Sequence, residues 1–193
     1  MVHPLGPGTW PDGNDCVVSR LLPFDVSEAA GPLCADAIMS NICDFAGRTA
    51  LVTGAAGFIG ANLVRALLNA HCRVTLVVRP RTDLWRLTEV LPRVTVMKWD
   101  LMAEAPWAEL DLSCASDLVF HLAAAGTTHA AQELPTLVEA NLKAALHVME
   151  LAQRAQAQRV VSVGSCLEYG SGVRVAEHAP LLPASSYGMA NAV

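Results

Sequence analysis

The chain has 193 residues, 53% apolar and 16% charged, enough for one domain with a packed core and unlike a disordered polypeptide. A net charge of −5 with scattered Lys and Arg excludes the basic footprint of a nucleic-acid-binding protein. No apolar run reaches the ~18 residues of a membrane span, and no basic segment leads an apolar stretch at the N-terminus. Cysteines 16, 34, 43, 72, 114 and 166 contain no C-x-x-C pair and no metal-like clustering, so they read as buried, reduced thiols of a cytoplasmic protein.

Residues 1–46 stand apart. They hold five of the eleven prolines, six acids and one basic residue, Arg20, with no sustained hydrophobic period. This stretch reads as a poorly ordered extension with a short helix near 26–42, and Met39 is an alternative start. From Arg48 the pattern alternates. Thr49–Thr53 is a short apolar strand, and Phe58–Ala70 a helix with Ile59, Leu63, Val64, Leu67 and Leu68 on one face. Strands follow at Arg73–Val78, Val94–Met97 and Asp117–Leu122. A long helix spans Leu134–Gln156, with Val138, Leu142, Ala145, Leu146, Met149 and Ala152 spaced for burial, and Arg159–Val163 is a fifth strand. Continuous apolar strands alternating with amphipathic helices imply a doubly wound α/β domain, a Rossmann fold, over residues 47–193. Ligands are expected at the carboxyl ends of its strands.

One loop there carries recognisable chemistry. Gly54, Gly57 and Gly60 follow the first strand and open the first helix. Gly54 permits a tight turn, Gly57 lets the backbone approach a pyrophosphate, and Gly60 lets helix pack on strand. The free N–H groups of the helix start, at Ala56, Phe58 and Ile59, complete an anion site suited to a dinucleotide. The alternative is a glycine-rich turn with no ligand. NAD-selective sites place an acid about 20 residues on, at the ribose. Here the second strand runs into Val78-Arg79-Pro80-Arg81, and no acid lies between Ala70 and Thr82. Arg79, with Arg81, suits the 2′-phosphate of NADP, so NADP is preferred over NAD; the alternative is two solvated loop arginines.

Thr53-Gly54-Ala55-Ala56-Gly57-Phe58-Ile59-Gly60 resembles the cofactor loop of the extended short-chain dehydrogenases/reductases, the NAD(P)-dependent nucleotide-sugar epimerases, dehydratases and ketoreductases. Further matches occur in the family's order. Asp100-Leu101 resembles the pair that contacts adenine, although Asp100 also suits a plain strand-end turn. Leu122, Ala123 and Ala124, after a structural His121, resemble the segment lining the cofactor. Asn141 resembles the family's helix asparagine, and its residue type also suits a local backbone hydrogen bond. Ser165, four residues before a structural Tyr169, resembles the catalytic Ser/Thr, and Tyr187 the catalytic tyrosine. The resemblance implies a dinucleotide cofactor, a nucleotide-sugar substrate and a homodimer paired through the two long helices.

Two departures matter. The family motif is Tyr-x-x-x-Lys, but Asn191 stands at the lysine position, and the chain's lysines are Lys98 and Lys143. An ammonium beside a phenol favours its ionised form, whereas asparagine can bond the ribose but carries no charge. The sequence also ends at Val193, where the family continues into a substrate lobe, and the fifth strand is expected at a sheet edge. The dehydratases follow the Ser/Thr with Asp-Glu; here Cys166 and Leu167 stand there, and Glu168 is one residue further on. The resemblance therefore implies an epimerase or 4-ketoreductase acting by hydride transfer. The alternatives are a cofactor-binding pseudoenzyme and a non-functional fragment.

Overall fold

The computed structural model describes residues 45–106, 116–126, 133–172, 175–176 and 178–192. The expected extension over 1–46, its short helix and four of the six cysteines lie essentially outside these residues. The described fold belongs to the unit that begins at Ala46.

Five strands form one sheet: β1 (Thr49–Thr53), β2 (Arg73–Val78), β3 (Val94–Lys98), β4 (Leu118–His121) and β5 (Arg159–Ser162). Among the described residues three α-helices accompany them: α1 (Phe58–Asn69), α2 (Leu134–Arg154) and α3 (Ser186–Asn191). The strand order is β3-β2-β1-β4-β5, every pairing is parallel, and the domain is the expected doubly wound fold. Register aligns Leu51 with Thr75 and Val119, and Thr53 with Val77 and His121.

Side chains alternate across the sheet. Leu51, Val77 and Val119 face α2 in one core cluster with Trp99, Ala144, Val148, Leu151 and Ala155. Ala50, Val52, Val74 and Leu76 point to the other face. The β1–β2 and β4–β5 crossovers run in opposite directions across the sheet, so right-handed connections put α1 and α2 on opposite faces. α1 buries Gly60, Ala61, Val64, Leu67 and Leu68.

The hydrophobic patterns need three corrections. Ile59 is 61% exposed, because it sits in the first turn beside the glycine loop and not over the sheet. α2 presents a different stripe: Leu137, Ala144, Val148, Leu151 and Ala152 are buried, while Leu142, Leu146 and Met149 are exposed. Apolar residues ring much of that helix, so two stripes share its period and the sheet takes the one with the smaller side chains at its centre. Cys72 is buried, but Cys166 is exposed in the turn after β5. Among the described residues, no helix is long and apolar enough to cross a membrane.

Candidate functional site

β1 lies between β2 and β4, and the crossovers leave this region in opposite directions, so a crevice forms beyond its carboxyl end. The glycine turn occupies that crevice. Gly54 has φ +69°, and a Cβ there would meet the main chain of Leu122 at 2.6 Å and of Ala123 at 2.7 Å. A Cβ on Gly60 would overlap the Gly54 carbonyl oxygen, with Ala55 Cα 2.7 Å away. Helix α1 therefore starts tightly against β1. Gly57 differs: its N–H donates to Gly54 O at 3.0 Å, and a Cβ there would meet only that oxygen, at 3.2 Å. Its outer side is open.

Gly57 is the N-cap of α1, so no side chain caps the helix, and no acid lies in its first turn. The first-turn N–H groups lack intrahelical acceptors and carry the positive end of the helix dipole. Phe58 and Ile59 expose their side chains at this end. An open face at Gly57, close approach at Gly54 and Gly60, and free donors between them fit a pyrophosphate. Ala56 lies in the same turn and is half-buried.

The end of β4 is built from β1. The Thr53 hydroxyl accepts from Ala123 N at 3.2 Å and lies 2.8 Å from His121 Nδ1. His121 is buried, and desolvation holds its pKa below the usual histidine value, as suits a structural residue. The composition of the strand gave no sign of Thr53's role; only the pairing with β4 reveals it. Asn141 corrects the local reading: its Oδ1 accepts from Ala125 N at 2.7 Å and its Nδ2 donates to Ala125 O at 3.4 Å, so α2 holds the loop after β4. Gly126 follows at φ +88°, and a Cβ there would meet the Tyr187 ring at 2.9 Å.

Ser165 caps the short 3₁₀ turn Cys166–Tyr169. Its Oγ accepts from Leu167 N at 3.2 Å, and its N–H donates to Glu168 Oε1 at 2.5 Å. Glu168 is thus spent on a capping box. Gly188 has no side chain to hold α3 away from this turn, where a Cβ would strike Leu167 O. Tyr187 precedes Gly188 in α3, and its ring approaches Gly126. Asn191 donates from Nδ2 to Tyr187 O at 2.7 Å. It lines a cavity of about 120 Å³ with Ala123, Ala124, Asn141 and Gly164; Ser165 and Tyr187 do not line it.

The remaining sequence-derived residues lie on neighbouring strand ends. Arg79 and Arg81 are exposed after β2. Asp100 follows β3 and accepts from Met102 N at 3.0 Å, and Leu101 is buried. A larger cavity, about 490 Å³, opens near the amino-terminal ends of β1–β3, lined by His71, Arg73 and Arg93 among others; none of the sequence-derived site residues lines it. Among the described residues, no three His, Cys, Asp or Glu side chains gather as a metal requires.

Comparison with known proteins decides the family. The model of the NAD dependent epimerase/dehydratase family matches residues 50–193. The chain belongs to that family. Its fold is similar to ADP-L-glycero-D-manno-heptose-6-epimerase of Helicobacter pylori, at TM-score 0.66 and 23% identity over 77% of this chain and 49% of that one. It is also similar to an epimerase of Methanothermobacter thermautotrophicus, at TM-score 0.64 and 26% identity over 80% and 47%. The Bordetella bronchiseptica enzyme WbmG, solved with NAD and UDP, matches at TM-score 0.62 and 23% identity over 74% and 46%. The chain thus spans about half the length of these structures. No curated protein matches it in sequence at a significant level.

Proposed function

We propose that this chain is the dinucleotide-binding part of a cytoplasmic nucleotide-sugar epimerase or 4-ketoreductase, with NADP preferred over NAD. The observation that carries the reading is the glycine turn at the switch point, closed at Gly54 and Gly60 and open at Gly57. In this reading Gly54, Ala56, Gly57, Phe58, Ile59 and Gly60 hold the pyrophosphate. Asp100 and Leu101 take the adenine, Arg79 the 2′-phosphate, and Leu122, Ala123 and Ala124 the wall beneath the nicotinamide. When bound, the nicotinamide supplies the hydride acceptor and donor.

The chain's own residues handle the proton. Tyr187 exchanges it with the sugar hydroxyl, and Ser165, whose Oγ already accepts from Leu167 N, can donate its hydroxyl proton to the substrate oxygen. Glu168 is tied to Ser165 N, which supports hydride chemistry over dehydration. A second copy is proposed to pair through the outer face of α2, where Leu142, Leu146 and Met149 are exposed.

Asn191 favours a second reading, a module that binds dinucleotide without turnover. It brings no charge to Tyr187 and donates to that residue's carbonyl. Calorimetric titration with NADP and NAD, followed by assay with nucleotide sugars, separates the readings. Binding with turnover supports the enzyme, and binding without turnover supports the module. Absence of binding by a cooperatively melting chain overturns both, and tighter NAD than NADP binding overturns the role of Arg79.

A further inference from the structure

The loop after β3 is held from behind by a residue of α2. Trp99 N donates to Val78 O at 2.9 Å, which continues the β2–β3 pairing one residue past the strand. The chain then turns: Asp100 Oδ1 accepts from Met102 N at 3.0 Å, and Asp100 O accepts from Ala103 N at 2.8 Å. Both bonds lie within the turn, and neither anchors it to the body of the domain. His147 supplies such an anchor. Its Nδ1 lies 2.8 Å from Leu101 O, 46 residues away in sequence. A carbonyl oxygen only accepts, so Nδ1 carries the proton and donates. The same ring lies against Trp99, with centroids 5.5 Å apart and planes at 35°. Trp99 and Leu101 belong to the core cluster that also contains Ala144 and Val148, the helical neighbours of His147.

We infer that His147 is a positioning residue for the adenine end of the dinucleotide site, acting by fixing the Leu101 carbonyl and hence the Asp100–Leu101 turn. The inference rests on the proposed dinucleotide site and adds a residue to it that contacts no cofactor. One ring restrains the turn in two ways. The donor fixes where the Leu101 peptide points, and the stack on Trp99 fixes the start of the turn. The Asp100 carboxylate can only accept when ionised, so its useful partner on adenine is the exocyclic amine. Hypoxanthine has a carbonyl oxygen in that place and carries its six-ring N–H at N1, so a turn positioned for the amine faces an acceptor. Misplacement of the turn by about 1 Å is costly wherever recognition depends on such directional bonds.

Two substitutions separate the donor from the ring. His147→Phe keeps a ring on Trp99 and removes the donor. His147→Asn removes the ring but keeps an amide nitrogen where Nδ1 stood. The measurement is the dissociation constant, by calorimetry, for NAD and for nicotinamide hypoxanthine dinucleotide. The unsubstituted chain is expected to bind NAD more tightly than the hypoxanthine analogue. In His147→Phe, NAD binding is expected to weaken about 10-fold while the hypoxanthine analogue changes less than 2-fold; His147→Asn restores most of the preference. Hydrogen exchange over residues 99–103 without ligand is expected to quicken in the phenylalanine variant and not in the asparagine variant. Where phenylalanine overpacks and the variant does not fold, His147→Leu removes donor and ring together, and its loss of preference relative to His147→Asn, which lacks only the ring, measures the donor. Equal weakening for both dinucleotides, or no change for either, overturns the role of His147 and leaves the site intact. Binding of neither dinucleotide by the unsubstituted chain overturns the site and this role together.

Discussion

At the residue scale the three loop glycines have different reasons to be glycine, and substitution distinguishes them. A methyl on Gly60 overlaps the Gly54 carbonyl, so Gly60→Ala is expected to destabilise the chain by about 3 kcal/mol. Gly57 has φ −72° and open space outside it, so Gly57→Ala is expected to cost only about 1 kcal/mol. Its methyl instead faces the proposed phosphate, and NADP affinity is expected to fall at least ~10-fold, about 1.4 kcal/mol. Thermal melts and titrations of the two variants check this; equal stability losses with unchanged affinity would falsify the assignment. Asn191→Lys belongs to the same scale. It introduces the charge that favours an ionised phenol at Tyr187, and nucleotide-sugar turnover is expected to rise about 10-fold or more. An unchanged rate in an active protein would show that the lysine is not the limiting difference. The glycine loop was legible in the sequence because its function is a main-chain property. The work of Thr53 and His147 was not, because their partners lie 70 and 46 residues away; Asn141 was singled out by resemblance, but its partner, 16 residues away, was not.

At the scale of elements, the strands were legible almost to the residue. The central strands β1, β2 and β4 are largely buried, mostly apolar runs, broken only by Thr75 in β2 and bounded by polar residues, which few alternatives imitate. Helix α2 shows why helix faces were harder. Leu137, Ala144, Val148 and Leu151 form one stripe and Leu142, Leu146 and Met149 another, and periodicity alone cannot choose between them. The exposed stripe now carries a prediction. Leu146 is 60% exposed, so Leu146→Glu is expected to alter stability by less than about 0.5 kcal/mol. If a second copy pairs there, the substitution desolvates an unpaired carboxylate in the interface and shifts the chain to monomer. Light scattering at matched concentration measures the outcome. An unaltered dimer would place the contact elsewhere, and a monomeric parent chain would remove the dimer reading.

At the scale of the whole molecule, pH reads how the sheet is held together, because three titratable groups sit at the ends of β1. Asp117 accepts from Thr49 N at 2.8 Å and from Thr49 Oγ1 at 2.9 Å. Those bonds hold its pKa below the usual carboxylate value. His121, against Thr53, is held below its ordinary value by desolvation. Cys72, whose Sγ lies 3.2 Å from Arg48 O, is pushed up, mainly by burial. The signs follow from linkage. The unfolded chain protonates His121 first, so stability is lost as pH falls through about 6.5. The unfolded chain also protonates Asp117 first, so its contribution is lost as pH falls below about 4. For Cys72 the unfolded chain loses its proton first, so stability declines as pH rises past about 8.5. Melting temperature is therefore expected to peak between about pH 6.5 and 8.5 and to fall in two stages on the acid side. His121→Gln, which retains a hydrogen-bonding group towards Thr53, is expected to flatten the first stage and leave the second. Asp117→Asn does the reverse. A melting profile for His121→Gln that parallels the parent chain from pH 7 to 5 would assign that loss to other histidines and free the β1–β4 seam of it.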